Sequence, residues 1–455
     1  MNEGLREPDG AASSSLPPGT PVTIPERRPA PALPPPFDPD VFAERAAPPR
    51  EAGLPPASPA PPSRGRTYAY RSRWMRGAAG LIDALGGTLF RPRERPLRID
   101  RVLLMRPDHL GDVVFSLPAL RALRERLPEA RIDFLIHPSA RPLLLSDPDR
   151  PLRVNLIDYA APWLQRPNPR RFAPDGVGHL AGLLRQRSRE IGGRYDLAID
   201  LRGDFYLILA ARLAGVRHLV GRGITGLGFL LDAEGEEAAG RHQVEGSLRL
   251  IERAGFGPVE TALPELWLSR EERGLARTML RAKGAESSRL LIGVHPGAGQ
   301  QTKLWGADNY ARLIVRAVKE LPAQVVLLGG PDDRDEAAAV MLGVKRAGAE
   351  ERVIDLCGKM ASLRTFMAVA KECALFVGND SGPGHIAAAL GVPLLSIFSG
   401  TNDPAEWGPR GPSVVIIRKR IECEGCGLTF CDHHSCMVQL DHDAVFDAVR
   451  KCVSG

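Results

Sequence analysis

Four polar segments of this 455-residue chain each follow a short apolar run, which is where parallel sheets hold their ligands. In the first segment, Gly111 permits a tight turn, and Asp112 then lies near the predicted start of a helix. A carboxylate at that point can accept a proton from a hydroxyl nucleophile. It can also cap the helix, because aspartate is a favoured N-cap residue. On spacing alone, the helix cap is the favoured role of Asp112.

The second segment, Gly297-Ala298-Gly299, could expose backbone amides to an anion, and Lys303 after it could offer a mobile ammonium group. It is not a Walker loop, because the GK[ST] order is missing, and a generic glycine turn has a similar composition. In the third segment, Asp332 follows a predicted strand and could hold the hydroxyls of a ribose. A surface turn explains Asp332 equally well.

The fourth segment, residues 378–385, lies between an apolar strand and a predicted helix. The amides around Ser381 and Gly382 would face an anion at the helix N-terminus, where the helix dipole adds attraction. His385 could donate a hydrogen bond to a phosphate oxygen, and Asp380 could orient the loop or a ligand hydroxyl. Together with the second segment and its lysine, this loop predicts one site for a diphosphate.

Alternating strands and helices must position these segments. Short apolar runs predict strands at 101–106, 131–137, 196–201, 290–295, 324–329, 374–378 and 393–398. Helices are predicted at 113–127, with a restart or kink at Pro118, at 307–321, after Asp332, and at 385–390. The pattern is typical of two Rossmann-like domains, whose parallel sheets are covered on both faces. We place the first domain at 99–275 and the second at 276–455, joined by a polar helix at 269–283.

The residues before this pattern have two different compositions. The first 62 residues contain 18 of the 41 prolines, which predicts a disordered tail over residues 1–64, with a polyproline ligand at 34–36 as the alternative. Residues 65–98 combine apolar residues at helical spacing with many arginines, as a basic amphipathic helix does. Such a helix can lie among anionic lipid headgroups, or it can dock on the following domain. The sequence leaves both possibilities open.

The composition narrows the class of protein. With 44% hydrophobic and 25% charged residues, the chain is typical of globular proteins. A net charge of +6 suits an anionic ligand or surface, whereas an aromatic content of 5% speaks against base stacking, so we expect no nucleic-acid partner. Because we find neither a secretory signal nor an apolar stretch of about 20 residues, we expect a cytoplasmic chain.

Four of the seven cysteines are concentrated near the C-terminus, at Cys423, Cys426, Cys431 and Cys436. Their spacing is compact enough for a structural zinc ion bound tetrahedrally, and a neighbouring histidine (His433 or His434) could replace one thiolate. Two alternatives stay open. The cysteines could be reduced thiols that cap a loop, or they could form a disulfide if the chain meets an oxidant.

Four blocks of the sequence together resemble the heptosyltransferases, family 9 of the glycosyltransferases. In chain order they are RVLLMRPDHLGDVVFSLPALRALRERLP, HPGAGQQTKLW, FVGNDSGPGHIAAALGVPLLSIFSGTNDPAEWGP and the cysteine-rich block CEGC…C…CM. The resemblance runs from about Ile99 to the C-terminus and leaves out the tail and the basic helix. It implies an α/β architecture of the GT-B type, in which two Rossmann-like domains face a central cleft.

The resemblance also implies roles for individual residues. Asp112 matches the aspartate taken as general base for the acceptor hydroxyl, with Arg106 and Gly111 on the acceptor side. Lys303 matches the lysine that neutralises the donor diphosphate, and Asp332 aligns less securely with an acidic ribose-binding position. The match to the donor loop consists of Asp380, Ser381, Gly382 and His385.

The predicted function is therefore an inverting transfer of a heptose, or a related sugar, from a nucleotide sugar such as ADP-heptose, with no cofactor required. The acceptor would be the lipopolysaccharide core or another lipid-linked or cell-envelope glycan at the inner face of the cytoplasmic membrane. The stretch 159–172, rich in proline and arginine, could touch that acceptor or be a solvated surface loop. Two other classes stay open: another GT-B enzyme such as a sugar-nucleotide epimerase, and a non-catalytic protein that binds a nucleotide sugar.

Overall fold

Strands and helices alternate along most of the chain. The computed structural model describes residues 68–70, 72–145, 147–149, 151–164, 174–235 and 241–454, together with the backbone of 41–45. The rest of the predicted tail, 1–64, and residues 165–172 of the stretch 159–172 lie outside the described residues. The strands are β1 (Val41–Arg45), β2 (Arg101–Arg106), β3 (Arg131–Ile136), β4 (Val154–Asp158), β5 (Leu197–Asp200), β6 (His218–Gly221), β7 (Ala233–Glu234), β8 (Leu290–His295), β9 (Ala323–Leu327), β10 (Val353–Asp355), β11 (Leu375–Asn379), β12 (Leu394–Phe398) and β13 (Val414–Lys419).

The helices follow the strands closely enough to form repeated strand–helix units. They are α1 (Arg73–Leu89), α2 (Leu110–Arg126), α3 (Pro174–Glu190), α4 (Phe205–Leu213), α5 (Gln243–Ile251), α6 (Arg270–Ala282), α7 (Ala307–Glu320), α8 (Arg334–Arg346), α9 (Leu363–Lys371), α10 (Gly382–Ala389), α11 (Pro404–Trp407), α12 (Ser435–Val438) and α13 (His442–Ser454). Helix α2 continues through Pro118 without the predicted restart. Helix α10 begins at Gly382 rather than at His385, so three residues of the predicted loop form its first turn.

The first sheet is parallel throughout, in the order β4-β3-β2-β5-β6-β7. In β2, Val102 and Leu104 join one buried cluster with α2 and α5, whereas Leu103 and Met105 join another with α3 and α4. Alternate residues of a strand face opposite sides of its sheet, so this strand is apolar on both faces. We call this sheet and its helices the first lobe.

The second sheet has the order β1-β13-β12-β11-β8-β9-β10, in which β1 pairs antiparallel with β13 and the remaining strands are parallel. In β11, Leu375 and Val377 pack in the cluster that holds α7 and α13, and Phe376 packs in the cluster that holds α9 and α10. We call this sheet and its helices the second lobe. The two lobes match the predicted pair of Rossmann-like domains.

Helix α6 connects the two lobes and packs on α9 of the second. Its arginines Arg273 and Arg277 both pair with Glu372, at 2.8 and 2.7 Å, and its Glu272 pairs with Arg364 at 2.6 Å. The predicted domain boundary at 275/276 therefore falls inside a helix whose ion pairs are made with the second lobe.

Helix α1 docks on the first lobe through a face of small and polar residues. Ala79, Asp83 and Gly86 are buried, and the aromatic ring of Phe229 lies directly against Gly86. Helix α1 therefore docks on the domain that follows it, which is one of the two possibilities that the sequence left open. Among the described residues, no helix is long and apolar enough to cross a bilayer.

Candidate active site between the two lobes

Asp112 lies in the first turn of α2, at the carboxyl end of β2. The helix begins at Leu110 and its N-cap residue is His109, so Asp112 does not occupy the cap position that spacing alone favoured. Its side chain is only 16% exposed, and its Oδ1 accepts a hydrogen bond of 2.8 Å from the guanidinium group of Arg106. The first turn of a helix is also where the helix dipole stabilises a carboxylate.

A buried network of charges surrounds this contact. Arg106 also pairs with Asp108 at 3.0 Å and donates to the carbonyl oxygen of Leu201. Arg202 forms a second ion pair with Asp108 and also pairs with Asp204 at 3.3 Å. Arg106 was expected on the acceptor side, but its side chain is 3% exposed and its guanidinium group holds Asp112 and Asp108.

This network keeps the Asp112 carboxylate ionised. Burial by itself would raise the pKa of Asp112, but the guanidinium groups of Arg106 and Arg202 outweigh it and lower that pKa below its usual value. Arg202 and Asp204 belong to this network but are not among the predicted site residues. They follow the predicted strand 196–201, so the rule that found the other four polar segments could have found them as well.

The loops of the second lobe form a continuous surface, because β11, β8 and β9 are neighbours in the sheet. Asn379 donates hydrogen bonds to the carbonyl oxygens of Pro296 and Gly297, at 2.7 and 3.1 Å. The two ring nitrogens of His295 lie 3.4 Å from Ser381 Oγ and 3.2 Å from Asp333 Oδ2. The glycine-rich segment, the donor loop and the β9 loop are therefore held together by side chains.

Lys303 and His385 both meet the Asp380 carboxylate. The Lys303 Nζ lies 2.6 Å from Asp380 Oδ2, and the His385 Nε2 lies 3.7 Å from Asp380 Oδ1. Burial alone would raise the pKa of Asp380, but the Lys303 ammonium and His385 lower it to about 2. The predicted lysine and the predicted donor loop thus share one buried ion pair.

The remaining predicted donor-site residues differ in exposure. Ala298, Ser381 and Gly382 are half-buried, Gly297 is buried, and Gly299 is exposed. Asp332 is exposed at the surface.

The neighbouring residue Asp333 contacts the glycine-rich segment. It accepts a hydrogen bond from the amide of Gly330 at 2.7 Å, and its carboxylate lies directly against Gly297. A Cβ at residue 297 would overlap the Asp333 carboxylate, so a larger residue there would displace that side chain. Asp333 therefore lies beside the glycine-rich segment, and the ribose-binding role of Asp332 stays a prediction.

The two lobes meet where α2 and α10 begin. A Cβ placed on Gly111 would lie 2.8 Å from Cδ2 of His385, and one placed on Gly382 would lie 3.8 Å from the amide nitrogen of Gly111. The ring of Phe115 packs edge-on against His385, with 4.6 Å between ring centroids. Two helix N-termini, each a centre of partial positive charge, thus face each other beside Asp112 and Asp380.

His385 has one further property that bears on ligand binding. Its Nδ1 is buried and has no hydrogen-bond partner among the described residues. On the other side of Phe115, His242 has its Nε2 2.7 Å from the carbonyl oxygen of Gly408, and burial lowers the pKa of His242 to about 3. His242 is therefore neutral and has a structural role between the lobes, whereas His385 retains a buried nitrogen for a ligand.

The cysteine-rich loop contains Cys423, Cys431 and Cys436 as free thiols. The structural zinc ion expected from the cysteine spacing stays a prediction. Among the described residues, one set of three side chains has its potential metal-ligand atoms within 4.8 Å of one another, and it consists of Asp441, His442 and Asp443. The four cysteines do not form a set of this kind. Burial raises the pKa of Cys436, and the three neighbouring thiols add to this effect.

Comparison with known proteins identifies the same family that the four sequence blocks resemble. The family described as glycosyltransferase family 9 (heptosyltransferase) matches residues 184–433, more than half of the chain. Lipopolysaccharide heptosyltransferase 2 of Salmonella typhimurium is 30% identical over 332 residues, which are 70% of this chain and 88% of that protein. Lipopolysaccharide heptosyltransferase 3 of Escherichia coli K12 is 25% identical over 309 residues, 67% of this chain and 84% of that protein.

Solved structures show the same fold. The ADP-heptose lps heptosyltransferase II of E. coli superposes with a TM-score of 0.61 at 24% identity, covering 78% of this chain and 98% of that one. A family 9 glycosyl transferase from Veillonella parvula superposes with a TM-score of 0.62 at 19% identity, covering 80% and 99%. Most of the relatives' length is therefore matched, and about a fifth of this chain extends beyond them.

Proposed function

The chain belongs to glycosyltransferase family 9 and is a glycosyltransferase, and from this premise we propose that it transfers a heptose, or a related sugar, with inversion. We propose ADP-heptose as the donor and the lipopolysaccharide core, or another lipid-linked cell-envelope glycan, as the acceptor. The names of the similar heptosyltransferases support both assignments.

This proposal rests on the contact between the N-termini of α2 and α10. It brings a carboxylate of the first lobe, Asp112, next to a cationic and amide-rich surface of the second lobe, formed around Lys303 and His385. A sugar held by its diphosphate on that surface would have its anomeric carbon between the lobes. An acceptor hydroxyl bound on the first lobe would then approach from the side of Asp112.

The residues of this site suit the proposed reaction. The acceptor oxygen attacks the anomeric carbon while Asp112 takes its proton, and the bond from that carbon to the diphosphate oxygen breaks. Arg106 bonds Oδ1 of Asp112, which leaves Oδ2 to receive the proton. The nucleoside diphosphate leaves with the electron pair, and attack opposite the leaving group inverts the anomeric centre.

The leaving diphosphate requires positive charge around it. Lys303, the amides at the start of α10 and the buried Nδ1 of His385 supply cationic and hydrogen-bonding groups in a site that is largely closed to water. Because these groups can stabilise the leaving group directly, we propose that transfer requires no metal cofactor. Removal of divalent cations with a chelator should leave the rate unchanged.

The test replaces Asp112 by asparagine and measures release of ADP from ADP-heptose with and without a panel of cell-envelope glycans. We expect Asp112→Asn to reduce transfer by about 100-fold to about 10,000-fold, the usual contribution of a general base, while ADP-heptose still binds. Asp308→Asn is the matched control, because Asp308 also lies in the first turn of a helix but is exposed on α7.

The same assay separates the alternatives. Unreduced transfer in Asp112→Asn would remove Asp112 from the role of base. Conversion of the donor without any acceptor would indicate an epimerase instead, and donor binding without turnover on any acceptor would indicate a non-catalytic binding protein.

A further inference from the structure

Helix α1 exposes large apolar side chains on the face that points away from the first lobe. Trp74 is 78% exposed, Leu81 62% and Leu85 59%. At 100° per residue these three lie on one stripe, with Ile82 and Leu89 beside them. A contiguous exposed apolar face of this kind marks an interaction surface.

The docking of α1 fixes the direction of this stripe. Ala79, Asp83 and Gly86 lie on the opposite face and are buried against the lobe. Tyr68 donates a hydrogen bond of 2.7 Å to Asp83, and Phe229 packs against Gly86. The apolar stripe is therefore held outward by the fold itself.

The charges around the stripe indicate what it binds. Arg73 precedes Trp74 in the helix and Arg91 follows the end of the helix, both of them exposed, and the one acidic residue between positions 72 and 93 is the buried Asp83. An apolar face with arginines around it and a tryptophan at one end fits the headgroup region of an anionic bilayer. Pairing with a second copy would bring arginines against arginines.

The residues just before α1 attach it to loops at the carboxyl ends of the strands of the first sheet. Just before the helix, the amide of Ala69 donates to the carbonyl oxygen of Ile224 at 2.8 Å, and Tyr70 donates to that of Thr225 at 2.6 Å. Thr225 donates in turn to Gly203, in the loop after β5. Strand β5 is the neighbour of β2, which ends at Arg106, so α1 is tied to the sheet edge that carries Asp112.

We propose that α1 is a membrane-docking helix that lies in the interface of an anionic bilayer, with its stripe of Trp74, Leu81 and Leu85 inserted and its arginines at the lipid phosphates. It thereby holds the acceptor side of the site near a lipid-linked substrate, a consequence that rests on the proposed function. At 17 residues the helix is about 25 Å long, and with its arginines it lies on the membrane rather than across it.

The test is flotation of the full chain with vesicles of phosphatidylethanolamine and phosphatidylglycerol, compared with vesicles of phosphatidylcholine. We expect binding to the anionic vesicles, and a loss of about tenfold for each of Leu81→Ser and Leu85→Ser. Both side chains are in water in the free protein, so the substitutions should not affect folding. Leu275→Ser and Leu342→Ser are the matched controls, because these leucines are similarly exposed on other helices.

The arginines are tested separately. Arg73→Gln and Arg91→Gln should each weaken binding to anionic vesicles by about fivefold at low salt, with a smaller effect at high salt. Arg312→Gln, on the exposed side of α7, should bind as the unmodified chain does.

Three results would overturn the proposal. The unmodified chain could remain unbound, the Leu81→Ser/Leu85→Ser chain could float equally well, or the stripe could prove to hold a dimer that this double variant dissociates. The outcome is independent of the proposed function: the double variant should keep full transfer to a short, soluble acceptor, and Asp112→Asn should still float.

Discussion

Arg106 shows how a single buried side chain can set the chemistry of a neighbouring residue. Its guanidinium group pairs with Asp112 at 2.8 Å and with Asp108 at 3.0 Å, and all three side chains are largely removed from water. Two carboxylates so close together would raise one another's pKa if no cation lay between them. Arg106 is therefore a positioning residue that fixes the Asp112 carboxylate in place and keeps it ionised.

Replacing Arg106 by glutamine should change both the stability and the pH profile. The buried carboxylates would lose their main counter-charge, and we expect the free energy of unfolding to fall by about 3 kcal/mol. A base must be ionised to act, so transfer is lost as pH falls through the pKa of Asp112. Arg106 lowers that pKa, and its removal should therefore shift the acid limb of the kcat/KM profile to higher pH.

The matched control is Arg141→Gln, which breaks an exposed ion pair with Asp158. Exposed pairs contribute less than about 1 kcal/mol, so its stability and pH profile should stay close to those of the unmodified chain. An unchanged acid limb in Arg106→Gln would show that Asp112 does not determine that limb.

At the scale of elements, the contact between α2 and α10 is possible because each helix has a glycine in its first turn, near the contact. Gly111 lies against His385, and Gly382 lies against Leu110 and Gly111. A β-carbon at position 111 would force the two N-termini apart. Small displacements of reacting groups cost rate, because the proper geometry contributes much of the acceleration.

We expect Gly111→Ala to reduce kcat by about 100-fold while the protein remains folded. The added methyl group would meet His385 at 2.8 Å and displace its ring. Steady-state kinetics and circular dichroism together test this expectation.

Gly274→Ala provides the comparison, because a β-carbon at this helical glycine on α6 has no neighbour within 4 Å. It should keep full activity and gain about 0.5–1 kcal/mol of stability. Full activity in Gly111→Ala would contradict the close approach of the two helices.

At the scale of the whole molecule, the lobes share one core. A single buried cluster includes Val113 and Phe115 of α2, Phe366 of α9 and Ile386 of α10. The amide of Leu266 also donates to the carbonyl oxygen of Ala389 at 2.9 Å, at the other end of α10. Unfolding one lobe would expose apolar surface of the other, which couples them energetically.

Thermal unfolding should therefore show one transition, and ADP should move this whole transition to a higher temperature. At about a hundredfold excess over its Kd, ADP is expected to stabilise the folded chain by about 2.7 kcal/mol. Lys303→Ala should reduce this shift, and Asp112→Asn should keep it, because we propose that Asp112 serves the acceptor rather than ADP.

Differential scanning calorimetry with and without ADP measures this effect. Two separate transitions, of which ADP moves one, would show that the lobes unfold independently in spite of the shared core.

The sequence by itself determined the features that depend on neighbours in the chain. Short apolar runs predicted both ends of β2 and of β8 correctly, because a strand buried on both faces needs a run of apolar side chains. The polar segments after such strands located Asp112, Lys303 and the donor loop, because chain direction puts strand ends at one edge of a parallel sheet.

Only the tertiary structure decided the contacts between distant parts of the chain. Asp108 and Arg202 are 94 residues apart and pair because β2 and β5 are neighbours in the sheet, which no local spacing encodes. The contact between Asp333 and Gly297 depends on the path of the turn after β9, and the outward direction of the α1 stripe depends on Phe229 and Tyr68. Local patterns fix which residues form an element, whereas the packing of whole elements fixes which of their faces meet.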